Sequence, residues 1–584
     1  MRLIPARLWA LAALSGILQI LPFPIAGPVP LWRSAICWFA LLPLLYALLE
    51  RNSAARPLSV LQSAALGYIS GVIWYLGNCY WIYQTMNLYG GLAKPTSAGI
   101  LILFCLYLGL YHALFGALIG AFRRLHLSRN QILLLAPIAW VAVELARARI
   151  TGLPWDLLGI TQIDNPLLAR LAPTTGAYGL SFVIALVNSI WLLRLTLPDR
   201  RYTRPALTLA GVLVCVLYVV AVHRLPPIPE SPVTATATLV QENLEVGAAN
   251  TGPQLSTRDL LDSFSYLSRH PAPTFLAGIP ELPGTPQVVL LHKFNSSEGP
   301  AQTQTQTWTP RTDLIVWPES PAPFQDNDPQ FRAAISSLAR ASSASVIVGN
   351  IGIDRTNSND TGDDNRGYHL YNSADFVTPD GSFDGRYDKM HLVPFGEYVP
   401  FKQLFFFAKN LLNEVGSFDA GQRREVFRSA GHTYGVFICY ESIFADEVRQ
   451  FELQGAQVLI NISNDGWYGD TSAAWQHLNM VRMRAIENHR WILRSTNTGV
   501  TAAIDPRGHV TMAAPRHTRT SLHVPFGYER DITFYAAHGD LFAYLCALIT
   551  ALTLAASLRR RRQPVEPTTQ PASGGVREAS CSQQ

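Results

Sequence analysis

The chain has 584 residues, more than one ordinary domain holds, and 49% of them are hydrophobic while only 15% are charged. So little charge is unusual for a soluble protein and indicates a membrane protein. The net charge of +5 at pH 7 does not indicate a nucleic-acid partner, because the basic residues form short clusters between apolar segments instead of one continuous face.

Apolar segments of membrane-spanning length recur through the first part of the chain. They lie near residues 8–27, 34–49, 59–83, 97–121, 131–146, 177–193 and 206–222, with one more near 540–557. A cleaved signal peptide is the alternative for the first segment, but no clean small-residue cleavage site follows it. We therefore predict seven transmembrane helices within residues 1–228, an eighth at 538–558, and a basic, then disordered, tail at 559–584.

The basic residues between these segments predict the orientation of the chain, because cytoplasmic loops are enriched in arginine and lysine. One side carries fifteen of them and the short loops of the other side carry five. The fifteen are Arg2, Arg7, Arg51, Arg56, Arg123, Arg124, Arg129, Arg194, Arg200, Arg201, Arg204 and Arg559 to Arg562; the five are Arg33, Lys94, Arg147, Arg149 and Arg170. We therefore expect both termini in the cytoplasm and residues 229–537 outside it.

The predicted outer segment begins after the proline-rich stretch Leu225-Pro-Pro-Ile-Pro-Glu-Ser-Pro232, which suits a semi-rigid exit from the bilayer. Short β-branched runs then alternate with amphipathic patterns at 328–341 and 471–489, an order typical of an α/β fold with buried strands. The predicted strands are Thr234–Val240, Leu314–Trp317, Ser345–Val348, Thr433–Cys439 and Val458–Ile462. Residues 270–310, rich in Pro, Gly, Gln and Thr, are typical of a flexible insertion.

Cys439 differs from the other cysteines of the chain. The seven, at positions 37, 79, 105, 215, 439, 546 and 581, form no Cys-x-x-Cys pair, and five of them lie in long apolar runs. This pattern argues against a disulfide framework or a zinc site, and we expect neither a metal nor a cofactor. Cys439 instead ends a predicted strand in the polar half of the chain and precedes a helix-like segment, whose N-terminus would lower the thiol pKa.

Further acid and base side chains stand at predicted strand ends, where the ligand sites of α/β sheets gather. The run Trp317-Pro-Glu-Ser320 presents Glu319, and the segment 387–400 offers Lys389 and Glu397. A cysteine nucleophile needs a base for its proton and a positive group or N–H donor for the oxyanion. Glu319 and Lys389 are residues of these types.

Each of these residues also has a plainer interpretation. A cysteine that closes an apolar strand is usually core packing, Pro-Glu after a strand often only turns the chain, and a lysine such as Lys389 is often a solvated surface charge. A cysteine–histidine pair is the rival catalytic arrangement. Its candidates are His391 and, farther away, His432, and neither has a visible orienting partner in the sequence.

Several motifs together resemble those of one family. They are Trp-Pro-Glu-Ser at 317–320, Asp-Lys-Met-His-Leu-Val-Pro-Phe-Gly-Glu-Tyr-Val-Pro at 388–400, Ile-Cys-Tyr-Glu at 438–441, and Asn-Ile-Ser-Asn-Asp-Gly-Trp-Tyr-Gly at 461–469 with Trp-Gln-His at 475–477. In this order, after seven predicted spans, they resemble the bacterial apolipoprotein N-acyltransferases, membrane-embedded members of the nitrilase (carbon-nitrogen hydrolase) superfamily. Glu144 followed by Thr151-Gly-Leu-Pro-Trp155 extends the resemblance into the membrane part.

The resemblance implies a fold and a set of site residues. The fold is a multi-span α-helical membrane domain plus an extracytoplasmic α/β nitrilase-like domain, an αββα sandwich. The implied catalytic residues are Glu319 as proton acceptor, Lys389 as stabiliser of the oxyanion, Cys439 as nucleophile, Glu397 in support, and the pair Tyr440 and Glu441. Asn464, Asp465 and Trp467 fall in the loop that the family places at the lipid-facing mouth of its site. The family's early functional tryptophan has no counterpart in Glu242–Asp259. Either Trp308 takes its role in this chain or the role is lost.

The implied activity is a ping-pong acyl transfer in the bacterial cytoplasmic (inner) membrane. Cys439 would take an acyl chain from a phospholipid of the phosphatidylethanolamine type as a thioester and pass it to the α-amino group of an apolipoprotein's N-terminal diacylglyceryl-cysteine. A membrane-tethered amidase or nitrilase is the alternative, with the same triad and water as acceptor. Eight predicted spans argue against that alternative, because a soluble amide does not need them.

Two sequence features are candidates for lipid access. Trp467 lies in a glycine-flanked loop, and the segment 401–412 combines four phenylalanines, among them Phe405, Phe406 and Phe407, with two lysines. Such a segment suits an interfacial arm, although its apolar pattern fits a core helix equally well.

Overall fold

The computed structural model describes residues 4–125, 127–196, 232–246, 255–271, 311–319, 322–355, 367–394, 396–398 and 418–562. The predicted span at 206–222, most of the predicted insertion at 270–310, Trp308 and the segment 401–412 with its three candidate phenylalanines lie outside the described residues. Described helices at both ends flank an α/β middle part.

Helices of the first two described ranges build the membrane part. They are α1 (Ala6–Ile20), α2 (Leu31–Ser34), α3 (Cys37–Ala40), α4 (Leu42–Leu49), α5 (Val60–Asn78), α6 (Trp81–Gln84), α7 (Lys94–Arg124), α8 (Arg129–Ala146), α9 (Ala172–Thr175) and α10 (Ala177–Thr196). Ser59 and Ser128 begin α5 and α8 as capping boxes: each hydroxyl accepts the backbone N–H of a glutamine three residues on, whose side chain accepts the serine's own N–H.

Five helical segments of the described residues are long and apolar enough to cross a membrane: Leu31–Leu49, Val60–Asn78, Lys94–Arg124, Arg129–Thr151 and Ala177–Leu195. Two shorter apolar helices, Ala6–Ile20 and Leu541–Ala556, accompany them. Outward-facing leucines are strongly exposed, Leu103 at 68% and Leu134 at 63%, as expected for side chains that meet lipid rather than water. The chain is therefore a membrane protein, while the number of its spans and their orientation stay predictions.

Twelve strands of the described residues form two sheets. They are β1 (Ala235–Gln241), β2 (Leu314–Val316), β3 (Ser345–Arg355), β4 (Tyr368–Val377), β5 (Phe383–Asp388), β6 (Val426–Ser429), β7 (His432–Ile438), β8 (Val458–Ser463), β9 (Ile492–Thr496), β10 (Ala502–Ile504), β11 (Val510–Ala513) and β12 (Thr520–Phe526). One sheet has the order β12-β1-β2-β3-β4-β5 and the other β11-β10-β9-β8-β7-β6. The five predicted strands correspond to β1, β2, β3, β7 and β8.

The two sheets pack face to face. Leu239 and Val316 of the first sheet share one hydrophobic core with Val436 and Ile460 of the second. On its other face the first sheet packs against α11 (Thr257–Arg269) and α12 (Pro329–Ser342), and α13 (Ala445–Leu453) and α14 (Ala473–Asn488) pack on the second. Because each sheet buries both faces, the result is the αββα sandwich that the resemblance implied.

The sandwich returns to the membrane part at its end. Strand β1 pairs antiparallel with β12 over its whole length, from Ala235 opposite Phe526 to Gln241 opposite Thr520. Helices α15 (Phe534–His538) and α16 (Leu541–Arg562) follow, and α16 packs beside α8. The first and last strands of the sandwich are therefore neighbours.

Candidate active site

Three of the predicted residues meet beside the core of the sandwich. Lys389 directly follows β5, and its Nζ lies 2.9 Å from Oε1 of Glu319 and 2.9 Å from Oε1 of Glu397. All three side chains are buried, Lys389 to 1% exposure. A buried ammonium is stable only when it is paired, and two carboxylates here supply that pairing.

Asn372 bridges the two carboxylates, a role that no pattern in the sequence indicates. This residue of β4 donates from Nδ2 to Oε1 of Glu319 at 2.7 Å and to Oε1 of Glu397 at 2.6 Å. The second oxygen of Glu319 accepts the backbone N–H of Asn464 at 2.8 Å, and that of Glu397 accepts the backbone N–H of Val393 at 2.7 Å. Both carboxylates are therefore fixed in position.

The charge of Lys389 follows from these contacts. Burial alone would lower its pKa, but the carboxylates of Glu319 and Glu397 act against burial and hold the pKa of Lys389 well above its usual value. The side chain is therefore an ammonium at any physiological pH, as a group that stabilises an oxyanion must be.

Cys439 lies at the end of β7 in an unusual backbone conformation. It is 5% exposed and its φ is 50°, in the left-handed region that strains a residue with a Cβ. The next residues form a short 3₁₀ turn, Cys439–Ile443, and α13 starts only at Ala445. A sharp turn at the end of a buried strand presents the side chain toward a site at the sheet edge.

The prediction of a lowered pKa for the Cys439 thiol is wrong. Burial, followed by the nearby carboxylate of Glu319, raises the pKa well above its ordinary value, and the ammonium of Lys389 only partly offsets them. The segment after Cys439 is too short and tight a turn to act as the predicted helix N-terminus. The resting group is therefore a thiol, which needs a base in the site to remove its proton.

Glu441 joins the nucleophile turn to the loop that carries Lys389. Its Oε2 accepts the backbone N–H of Ile438 at 2.7 Å. Its Oε1 accepts the Tyr387 hydroxyl at 2.8 Å and the backbone N–H groups of Met390 and His391 at 2.7 and 3.2 Å. The carboxylate thus sets the distance between the two chain segments that carry the thiol and the ammonium.

We expect Glu441→Gln to destabilise the protein by about 1.5–3 kcal/mol, because an amide nitrogen in place of Oε2 would face the buried N–H of Ile438 and leave it without an acceptor. Thermal unfolding of the detergent-purified variant measures the loss. The exposed Glu425 provides the matched control as Glu425→Gln, and equal unfolding midpoints for the two variants would contradict the role of Glu441.

Among the described histidines, the one that contacts the backbone of the nucleophile residue is His477 of α14, which was not one of the two candidates. Its Nε2 lies 3.0 Å from the carbonyl oxygen of Cys439 and 2.6 Å from Oγ of Ser442. The ring of His391 instead lies against Phe444, and His432 contacts Gln457. The only sequence signal for His477 was the Trp-Gln-His motif, to which no role had been given.

Cys439, Asp465 and His477 place three donor atoms within 4.8 Å of one another, a spacing that suits a metal ion. The guanidinium of Arg494, however, lies 2.6 Å from Oδ2 of Asp465 and 3.2 Å from Nδ1 of His477. Because a cation already neutralises Asp465 there, the donor set does not fit a metal.

Asp465 is fully buried beside His477 and Arg494. The resemblance had placed its loop at the lipid-facing mouth of the site, where an exposed side chain would be expected. Burial would raise its pKa, but Arg494 and His477 hold that pKa below its usual range. Asn464 is also buried, and Trp467 is half-buried. Of the three residues of this loop, Trp467 alone is not buried.

A cavity of about 660 Å³ lies between the membrane part and the sandwich. Thr151, Gly152 and Pro154 line it from one side, and Met390 and Tyr440 from the other. The last two directly follow Lys389 and Cys439, and the Tyr440 hydroxyl reaches the carbonyl of Gly152 at 3.4 Å. None of the three triad residues lines the cavity, but the chain neighbours of Lys389 and Cys439 do.

Comparison with known proteins gives matches for both parts of the chain. Residues 15–190 match the family described as apolipoprotein N-acyltransferase N-terminal domain, and residues 295–525 match carbon-nitrogen hydrolase. The chain is 32% identical to the apolipoprotein N-acyltransferase of Geobacter metallireducens over 96% of both chains. It is 32% identical to that of Methylococcus capsulatus over 90% of this chain and 94% of the relative.

Among solved structures, Nit3 of Saccharomyces cerevisiae, a member of branch 10 of the nitrilase superfamily, aligns with 51% of this chain and 91% of its own. The identity is 16% and the TM-score is 0.33.

Proposed function

Because the chain belongs to the apolipoprotein N-acyltransferase family, we propose that Glu319, Lys389 and Cys439 transfer an acyl chain from a membrane phospholipid to a lipoprotein. The enzyme acts in lipoprotein maturation at a membrane. The roles of the three residues, the phospholipid donor and the thioester intermediate are our proposals.

One observation carries the assignment of roles. A buried ammonium, Lys389, is clamped at 2.9 Å by each of two carboxylates, close enough to the Cys439 thiol that Lys389 and Glu319 both influence the thiol pKa. Base, oxyanion stabiliser and nucleophile are the three groups that acyl transfer through a covalent intermediate requires.

The first half-reaction forms the acyl-enzyme. Glu319 takes the proton of the Cys439 thiol, and the sulfur attacks the carbonyl carbon of a phospholipid acyl ester. Lys389 stabilises the oxyanion that forms. The bond between that carbon and the glycerol oxygen then breaks, Glu319 returns the proton to the departing oxygen, and a lysophospholipid leaves while the acyl chain stays on sulfur as a thioester.

The second half-reaction moves the chain to nitrogen. The α-amino group of a diacylglyceryl-cysteine attacks the thioester carbon and loses a proton to Glu319. The carbon–sulfur bond breaks, the thiol of Cys439 is restored by that proton, and an amide is released. Water must stay out during the interval between the two steps, and the burial of Cys439 supports this requirement.

The cavity between the membrane part and the sandwich supports a route for both lipids. It is lined partly by residues that directly follow the span Arg129–Thr151 and partly by Met390 and Tyr440, the chain neighbours of Lys389 and Cys439. A volume of about 660 Å³ lies within the usual range of ligand pockets. We infer an outer-face location in the bacterial inner membrane, with cytoplasmic termini, from the excess of arginine on the opposite side.

A product assay tests this function. Purified enzyme is mixed with a phosphatidylethanolamine carrying defined acyl chains and a synthetic diacylglyceryl lipopeptide. We expect equal amounts of lysophospholipid and N-acylated lipopeptide, measured by mass spectrometry. Free fatty acid in place of the N-acylated peptide would contradict the transfer and favour the hydrolase alternative. A lipopeptide whose amine is already acetylated is the matched control and should accept no chain.

A further inference from the structure

The contacts of His477 have no part in the two half-reactions. The ring is fully buried, and both of its nitrogens bond to protein groups. Nε2 meets the carbonyl oxygen of Cys439 at 3.0 Å, and Nδ1 meets Oδ1 of Asp465 at 2.9 Å. Carbonyl and carboxylate oxygens only accept, so both contacts are hydrogen bonds only if each ring nitrogen carries a proton, and Nε2 then donates to the carbonyl of the nucleophile residue itself. The hydroxyl oxygen of Ser442, 2.6 Å from Nε2, is then a second acceptor for the same N–H.

The backbone of Cys439 needs such a contact. Its φ of 50° belongs to a conformation that costs about 1–3 kcal/mol for a residue with a side chain and persists only where its surroundings hold it. The contact from His477 acts on the peptide group that directly follows the Cys439 Cα, and Glu441 holds the N–H of Ile438, one peptide group before the residue pair Ile438–Cys439. Rotation of the peptide group between Cys439 and Tyr440 would change the backbone at Cys439 and swing the thiol away from Lys389.

His477 is itself held from the sandwich side. The Asp465 carboxylate that contacts Nδ1 is fixed by Arg494 through a 2.6 Å contact, and both of these residues are fully buried. The His477 ring is therefore fixed in position on the side that faces Asp465.

The membrane part holds the same turn of α14 from the other side. Trp155 lies over the His477 ring, with centroids 6.0 Å apart and planes 24° apart. Its Nε1 donates to Oε1 of Gln476 at 2.9 Å, and Nε2 of Gln476 donates to the carbonyl oxygen of Asn78 at 3.0 Å. Trp155, Gln476 and Asn78 are all buried, so these bonds are shielded from water.

We propose that His477 is a positioning residue for the acyl transfer proposed above, and that the membrane part fixes its position through Trp155 and Gln476. The geometry of the nucleophile is thereby set by contacts across the boundary between the two parts of the chain. A sandwich separated from the membrane part lacks Trp155 and Asn78, and its Cys439 turn relaxes.

Two amide variants separate positioning from packing. The side-chain nitrogen of glutamine reaches the place of Nε2 and can still donate to the Cys439 carbonyl, whereas that of asparagine reaches only the place of Nδ1. Single-turnover formation of the acyl-enzyme is followed by intact mass. We expect a rate about 10-fold below wild type for His477→Gln and about 100-fold below for His477→Asn, the usual scale for a displaced reacting group.

The phospholipid concentration at half-maximal rate should not change in either variant, because His477 does not line the cavity. His432→Asn, at the far end of β7, is the matched control and should acylate at the wild-type rate. Equal rates for His477→Gln and His477→Asn in folded protein would overturn the proposal, since a packing role does not distinguish the two amides.

A second variant covers the case in which both His477 variants fail to fold. Trp155→Phe keeps an aromatic ring over His477 but removes the donor to Gln476, and we expect acylation about 10-fold slower with an unchanged half-maximal lipid concentration. An unchanged acylation rate in Trp155→Phe would contradict the proposal that the membrane part positions His477. The exposed Trp191 gives the control Trp191→Phe. If wild-type protein forms no acyl adduct, the proposed function fails instead of this inference.

Discussion

Cys439→Ala is expected to abolish the covalent acyl-enzyme. Wild-type protein incubated with a defined phospholipid should gain the mass of one acyl chain, and the alanine variant should gain none, because no other group of the site can form the thioester. Cys439→Ser should lose at least about 10⁴-fold in acylation rate, as other enzymes do when the nucleophile of a coupled triad is replaced. The serine hydroxyl is a far weaker acid than the thiol, and Glu319 alone does not activate it.

The control uses another buried cysteine. Cys105 lies in α7, inside the membrane core, and Cys105→Ala should acylate at the wild-type rate. An acyl adduct of undiminished intensity on Cys439→Ala would remove Cys439 from the mechanism. Peptide mapping of the wild-type adduct to the segment 433–444 would give independent support.

Lys389→Met is expected to reduce the acylation rate by about 10³-fold, the upper end of what the loss of one oxyanion donor costs. The variant also leaves the carboxylates of Glu319 and Glu397 together, since Asn372 touches Oε1 of both. Two buried carboxylates so close cannot both stay ionised, and one takes up a proton. Removing one partner of a buried ion pair typically destabilises a protein by about 3–5 kcal/mol.

A double variant separates chemistry from stability. Lys389→Met combined with Glu397→Gln leaves a single carboxylate, so the thermal unfolding midpoint should recover toward the wild-type value. The acylation rate should stay low, because no ammonium faces the oxyanion. Recovery of acylation together with stability would show that Lys389 serves only the fold, contrary to our assignment.

The features that the sequence predicted best are single strands and helices, which depend on residues close together in the chain. Apolar runs ending in Glu319 and Cys439 identified β2 and β7, and amphipathic periodicity placed α12 and α14 to within a few residues. The pairing of β1 with β12 was not predictable in this way, because it joins residues from opposite ends of the sandwich and no local pattern records a distant partner.

Two features of the site depend on that same long-range packing. Asn372 had no signal in the sequence, since an asparagine within a strand gains its role only when β4 brings it between Glu319 and Glu397. The thiol pKa was predicted in the wrong direction because the helix-terminus rule considers only neighbours in sequence, while burial and Glu319 raise the pKa of Cys439 through the folded structure. Both depend on the completed sandwich.

The antiparallel pairing of β1 with β12 also bears on biosynthesis. The first sheet contains β2, whose strand leads to Glu319, but β1 has its outer neighbour only when residues 520–526 have left the ribosome. Until then, one edge of that sheet exposes unpaired backbone N–H and C=O groups, which are prone to wrong strand pairing. The first sheet is thus completed late in synthesis, and its β1 edge stays open to wrong strand pairing during the interval between β1 and β12.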